Sequence, residues 1–310
     1  MTRIQQVHWE LEMDYIGHPY YISGNAIMHA LGRQLPHDVH QDLNASHGIF
    51  VPGQFGAFPE EHSQTGTQPY LGSTLPDVKH YDDLFLMRHP SHSWLLDSRP
   101  RDALNTHDIR VQSSHPALSH ETIMGKPDSA RKQQQTTKWY INAYLHADRN
   151  DILPLDENDL DGLQFGGKRN YGYGITRLKD TQIIDLGALD YSRLRDGEAF
   201  ILEVMTPFVL ESEYPNAHDQ DVPWWWTEDR HDLREREEKI LEQREVYTLQ
   251  TVDHGQVVAY KGDRPVETAK SSIRRIGSHS KYGFGELRVK PVEPQSDQCQ
   301  NLREQTNLPE

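Results

Sequence analysis

The chain opens on an alternation. In "IQQVHWELEMDYIG", Val7, Trp9, Leu11 and Met13 fall on one face of a two-residue period, which predicts a half-buried strand. In "YYISGNAIMHALGRQL", Ser23 or Asn25 caps a helix that carries Ala26, Ile27, Ala30 and Leu31. Residues 36 to 135 are rich in His, Pro, Gly, Ser and Asp, with short apolar islands such as "DDLFLM". They predict long loops with a few short strands. Periodicity returns at "TTKWYINAYLHAD", where Trp139, Ile141, Ala143 and Leu145 alternate with Tyr140, Asn142 and Tyr144, again a strand. "PLDENDLDGLQF" predicts a short helix starting near Pro154 or Asp156, and "ITRLKDTQIIDL" a strand or hairpin. A second unit begins near residue 191. There "EAFILEVMTPFVLES" predicts an apolar strand pair, and the mixed charges from Glu228 to Glu245 predict a solvated helix with i,i+4 pairs. "YTLQTVDHGQVVAYK" predicts a hairpin turning at Asp253, His254 and Gly255. From Glu293 the chain is polar and aperiodic, the pattern of a disordered tail.

Length and charge narrow this picture. At roughly 150 residues per domain, 310 residues suggest two domains. The 47 Asp plus Glu outweigh 32 Lys plus Arg, a formal net charge of −15, so any nucleic-acid site must be a local basic patch and not a bulk attraction. This balance suits a high-salt cytoplasm or an ordinary acidic protein, and both readings stay open. The single cysteine, Cys299, excludes an internal disulfide and a cysteine zinc site. No signal-peptide pattern opens the chain, and no stretch approaches the ~18 apolar residues of a membrane span. The expectation is a cytoplasmic protein with no membrane partner and no cofactor.

One stretch occurs twice. "GGKRNYGYGITRLK" from Gly166 aligns without a gap on "GSHSKYGFGELRVK" from Gly277, pairing Tyr171 with Tyr282, Gly172 with Gly283, Gly174 with Gly285, Arg177 with Arg288 and Lys179 with Lys290. Glycines allow positive φ and close backbone approach, and successive N–H groups in such turns form anion-binding nests. Gly167, Lys168, Arg169 and Lys281 add further flexibility and charge, and tyrosines offer flat faces for stacking bases. That combination suits single-stranded RNA. The plain alternative is a glycine hairpin whose tyrosines pack into the core. Neither copy has the spacing of a P-loop, and each leads into a strand-like segment, which argues against a mononucleotide site.

"FGGKRNYGYG" and "GSHSKYGFG" resemble the glycine-rich loop of the RAMP superfamily of CRISPR-associated proteins, and "YYISGNAIMHALG" is similar to its early helix start, with Ser23, Gly24 and Asn25 in place of the usual Pro-Gly-Ser and Arg33 as the later cation. The resemblance implies an α+β fold of two ferredoxin-like, RRM-related domains, each closed by a glycine-rich loop. The expected boundaries are 1–190, with a loop-rich insertion at about 36–135, then 191–296, with a tail at 297–310. Two domains with two loops look most like the subunit that caps the 5′-handle end of a type III-like effector complex. Its partners would be crRNA and the backbone and large subunits of that complex. The RNA-contacting set it implies is Gly166, Gly167, Lys168, Arg169, Tyr171, Gly172, Gly174, Arg33, Arg274, Arg275, His279, Lys281, Tyr282, Gly283 and Gly285, with no catalytic residue and no metal.

The alternative within the same superfamily is an endoribonuclease that processes repeat RNA with a histidine general base. Of 18 histidines, His18, His29 and His37 lie around the first helix and are its candidates. Metal ligands are conceivable in "HDVHQD" (His37, Asp38, His40, Asp42) and "RHPSHS" (His89, His92), although no H-E-x-x-H pattern and no G-x-S-x-G elbow occurs. Trp224, Trp225 and Trp226 are adjacent and cannot all enter one core. The choice is two buried and one partly exposed, or an interface anchor.

Overall fold

A computed structural model describes residues 3–13, 15–17, 21–52, 74–88, 110–112, 115–117, 139–226, 233–242 and 244–292. His18, His89, His92, the residues from Thr227 to Asp232 and the chain beyond Val292 lie outside these, so the expectations that fall on them have no structural counterpart here.

Antiparallel sheets dominate, with few and short helices. The first sheet is built by β1 (Arg3–Leu11), β2 (Tyr21–Ile22), β3 (Leu43–Ala45), β4 (Gly48–Pro52), β7 (Trp139–Ala147) and β8 (Thr176–Asp185), in the order β2-β4-β7-β1-β8 with β3 also on β7. A separate two-stranded ribbon, β5 (Arg110–Gln112) and β6 (His115–Ala117), lies between β4 and β7 in the chain. Helix α1 (Gly24–Leu31) lies between β1 and β4 in sequence, α2 (His37–Asp42) follows it, and α3 (Glu157–Leu160) lies between β7 and β8. Taking β1, β4, β7 and β8 as four strands, the spatial order is fourth, first, third, second, with every neighbouring pair antiparallel. That is the β-α-β-β-α-β arrangement of a ferredoxin-like unit.

The strands of the second half join none of these. After α4 (Ser192–Asp196), β9 (Phe200–Val204) is the centre of a three-stranded sheet with β13 (Val257–Tyr260) and β14 (Leu287–Pro291), and α5 (Pro265–Ile273) links β13 to β14. β10 (Phe208–Ser212), β11 (Glu235–Glu242) and β12 (Glu245–Val252) form another, in the order β10-β12-β11. No helix among the described residues is long and apolar enough to cross a membrane.

Four expectations need correction. β1 is buried on both faces, not half-buried. Val7 and Trp9 pack with Ile27, Met28 and Leu31 of α1. The supposedly exposed Gln6 and His8 are also enclosed: Gln6 donates to Asn142 and Tyr144, and His8 stacks on Tyr140. A second cover comes from the apolar island "DDLFLM": Tyr81–Phe85 is a 3-10 helix whose Leu84 and Phe85 pack with Ile4 and Tyr144. Where it is described, the charged run is strand and not helix, over Glu235–Glu242. In β11 the side chains alternate, with Glu238 and Ile240 inward and Lys239 and Leu241 outward, and its charges pair at i,i+2 as Arg236–Glu238 and Lys239–Glu237. β12 and β13 are not a hairpin, because Asp253–Gly255 carries the chain from one sheet to another. β9 and β10 are likewise in different sheets.

Candidate nucleic-acid interface

The two glycine-rich stretches have the same backbone. Each follows a helix (α3 or α5) and precedes the strand (β8 or β14) that pairs with β1 or β9. Each contains a three-residue 3-10 turn, Arg169–Tyr171 or Ser280–Tyr282, entered from a left-handed residue, Lys168 (φ 52) or His279 (φ 61). Each leaves through a left-handed glycine, Gly172 or Gly283. The turn is closed by Phe165 N donating to Gly174 O at 3.0 Å, and by Ile276 N donating to Gly285 O at 2.8 Å. At Gly174 (φ +70) and Gly285 (φ +78) a Cβ would sit 1.9 Å from the carbonyl oxygen of Phe165 or Ile276. No side chain fits at either place, which is why both copies keep glycine there.

Their surroundings differ. The first turn faces outward. Gly167, Lys168, Asn170 and Tyr171 are exposed, Tyr171 to 79%. Gly166 and Gly167 lie against Ile16, with Gly167 N donating to Ile16 O at 2.7 Å. Arg33, just past α1, is exposed and donates to Gln164 O at 3.2 Å. Its pKa is lowered by partial desolvation and then by the positive charge of Arg169. Two guanidinium groups that feel each other's repulsion beside an exposed tyrosine favour an anion between or above them. Arg177 of β8 belongs elsewhere, paired with Glu10 and Glu12.

The second turn is docked. Gly283 is buried with its Cα against His47, where a Cβ would stand 2.2 Å from Nδ1. Gly24, at the start of α1, is pressed against the Tyr282 carbonyl, its Cβ position 2.3 Å from that oxygen. His47 Nδ1 accepts from Gly24 N at 3.0 Å, which places the ring's proton on Nε2, and Tyr21 stacks on the ring at 4.4 Å. Lys281 Nζ donates to Gln41 O at 2.6 Å, and His279 shares a 2.8 Å hydrogen bond with Ser212. Burial lowers the His279 pKa and raises that of Tyr282. Arg275 is buried, donating to Ser280 O and to His146 Nδ1. Its neighbour Arg274 is only partly buried, 3.7 Å from Asp148. The expected contact set therefore divides. Arg33 and Gly167 to Tyr171 share one outward face, with Gly174 buried at the base of the turn, whereas Arg275, His279, Lys281, Tyr282, Gly283 and Gly285 form a joint between α1 and β14.

The catalytic candidates do not converge. His29 Nε2 lies within hydrogen-bond distance of Glu242 at 2.9 Å, His37 is exposed and bonded to Gln41, and His40 Nε2 donates to Met28 O at 2.9 Å. No group of three metal-ligating side chains occurs among the described residues. Sequence reasoning missed the joint's own members. His47 came from the segment read as loops, and Arg88 follows the "DDLFLM" island. Arg88 donates to both carboxylate oxygens of Glu286 and, at 2.9 Å, to His47 O. The one available signal was Glu286 itself, an acidic residue directly after the second glycine motif where the first has Ile175.

No protein-family model and no curated protein matches this chain. Among solved structures it is similar to one titled "CRISPR associated protein Cas6", over 94% of this chain and 100% of that one, at 10% sequence identity and a TM-score of 0.42. At that identity and overlap the similarity assigns neither family nor activity to this chain.

Proposed function

We propose that this protein binds crRNA as a subunit of a CRISPR ribonucleoprotein complex and holds the repeat-derived 5′ tag. The observation that carries the proposal is the outward first turn, which puts Lys168, Arg169, Arg33 and an exposed Tyr171 on one surface of a chain with net charge −15. Cations there neutralise phosphates while the surrounding acidity repels unspecific polyanions. The resemblance of both glycine turns to the RAMP loop supports the substrate class. In this reading the two glycine turns bound two ferredoxin-like domains, and the second turn braces their junction. The exposed Trp224 (74% exposed) anchors a neighbouring subunit, while Trp226 is buried against Phe208 and Trp225 is half-buried near Tyr260.

The test is binding of single-stranded repeat RNA by the purified protein across a salt series, with the same RNA incubated without metal and inspected for cleavage. Binding without cleavage is the expected result. Site-specific cleavage lost on replacing His29 or His37 identifies the endoribonuclease instead, and no binding at low salt overturns the RNA reading.

A further inference from the structure

A cleft of about 370 Å³ is lined by Arg3, Asp148, Arg149, Asn150, Leu153 and Arg274. Three elements meet there: the first residue of β1, the turn after β7 and the C-terminal end of α5. Three guanidinium groups and one carboxylate around one opening are unusual in so acidic a chain. Arg149 is already held, by Asp151 and by Asp42 at 3.5 Å. Arg274 is only loosely paired, 3.7 Å from the exposed carboxylate of Asp148. Arg3 is exposed and has no carboxylate within ion-pair distance among the described residues. The floor is the buried Leu153. The volume lies at the small end of the range for ligand pockets.

We propose that this cleft is a second phosphate subsite, in which Arg3 and Arg274 grip a phosphate group of bound RNA, either a phosphodiester or a 5′-terminal phosphate. The inference rests on the RNA-binding reading above and extends it to a second surface. Guanidinium forks match the oxygens of a phosphate, and a partly enclosed site screens the contact less than open solvent does. The second turn supplies the rigidity behind it. Arg275, next to Arg274, is fixed to Ser280 O and His146, and Lys281 is tied to Gln41 one residue before the Asp42 that holds Arg149. The docked loop thus braces the cleft.

The experiment compares single-stranded RNA binding across a salt series for the wild-type chain, Arg3→Ala/Arg274→Ala, and Arg195→Ala/Arg264→Ala, which removes the same charge at exposed positions outside the cleft. Loss of one phosphate contact lowers the slope of log K against log salt by about 0.7. That loss is expected for the cleft variant and not for the control. Asn150→Glu, which puts a negative charge at the cleft mouth without removing an arginine, should weaken binding in the same direction. RNAs with 5′-phosphate and 5′-hydroxyl ends distinguish the sources: an effect confined to the phosphorylated RNA identifies the terminal group, and an equal effect identifies a phosphodiester. If wild-type protein binds and Lys168→Ala/Arg169→Ala weakens it, while the cleft variants match the control, the subsite is overturned and the RNA reading stands. If the wild-type chain binds no RNA, both fall.

Discussion

At the scale of single residues, burial and charge have fixed protonation states that the sequence did not reveal. His146 is the sharpest case. Its Nδ1 accepts from Arg275 at 2.6 Å, and burial, then the charges of Arg275 and Arg274, push its pKa down to about 2. Unfolded, the same imidazole titrates near ~6.5. The folded state thus binds fewer protons between these values, so the stabilisation is full above about pH 6.5 and is lost as pH falls toward 2, by at most ~1.4 kcal/mol per pH unit. His40 and His279 are also lowered by burial and act in the same direction. We expect the urea midpoint to drop between pH 7 and pH 5, and the His146→Gln variant to show a shallower drop. A variant whose pH profile parallels the wild type would show that His146 is not held neutral. Gly285 gives a second residue-scale expectation. An alanine there needs a left-handed backbone, which costs about 1–2 kcal/mol, and collides with Ile276 O besides. Gly285→Ala should therefore lower the denaturant midpoint markedly, and Gly174→Ala likewise.

At the scale of elements, apolar alternation and capping residues identified element type but not how many faces neighbours would cover, since β1 and β7 are both buried on two faces. β7, α1 and α3 were legible from Trp139, Ile141, Ala143 and Leu145, from the Ser23 cap (its oxygen accepts from Ala26 N), and from the acidic stretch after Pro154. β11 was not, because Glu, Arg and Lys at short spacings satisfy i,i+4 pairing on a helix as well as i,i+2 pairing along a strand. The partner strand β12 decided it, through a register from Glu235↔Val252 to Glu242↔Glu245. The repeat was legible as residues and as a shared turn, but its two surroundings were not, since docking depends on Gly24 and His47 from distant sequence. This difference has a direct consequence. Lys168→Ala/Arg169→Ala should weaken RNA binding and flatten the salt dependence by roughly one to two units, with the melting temperature little changed. Tyr171→Ala should cost about 1–3 kcal/mol of binding if the ring stacks on a base. Tyr282→Ala should instead lower stability, because its ring packs partly buried against the second turn's neighbours Phe284, Val209, Ile240 and Leu249. Equal effects of Tyr171→Ala and Tyr282→Ala on RNA affinity, with both variants equally stable, would contradict this division of labour.

At the scale of the whole molecule, the first sheet and the two sheets of the second half share no strand, yet one apolar cluster contains Ile4, Tyr144 and Ile184 from the first together with Leu202, Phe208 and Val289 from the second. Buried charge crosses the same boundary. Arg88, after the Tyr81–Phe85 turn, grips Glu286, directly before β14, and its guanidinium lies over the Tyr144 ring. Arg288 in β14 reaches back to Asp82 at 2.8 Å. These groups are fully or almost fully buried. A shared core and two buried ion pairs argue that the two halves unfold together, so calorimetry should give one transition and not two. The ion pair makes the sharper prediction. Taking two charges out of water is costly, and their mutual attraction offsets that only while both are present. Arg88→Met alone strands the Glu286 carboxylate, and removal of one partner of such a pair costs about 3–5 kcal/mol. Arg88→Met/Glu286→Gln strands no charge, so it should be more stable than Arg88→Met, although it adds a second substitution. Denaturant melts of wild type, the two single variants and the double variant form a cycle that measures the coupling. A double variant as unstable as the sum of the singles would mean that the pair carries no coupling and that the apolar cluster alone joins the halves.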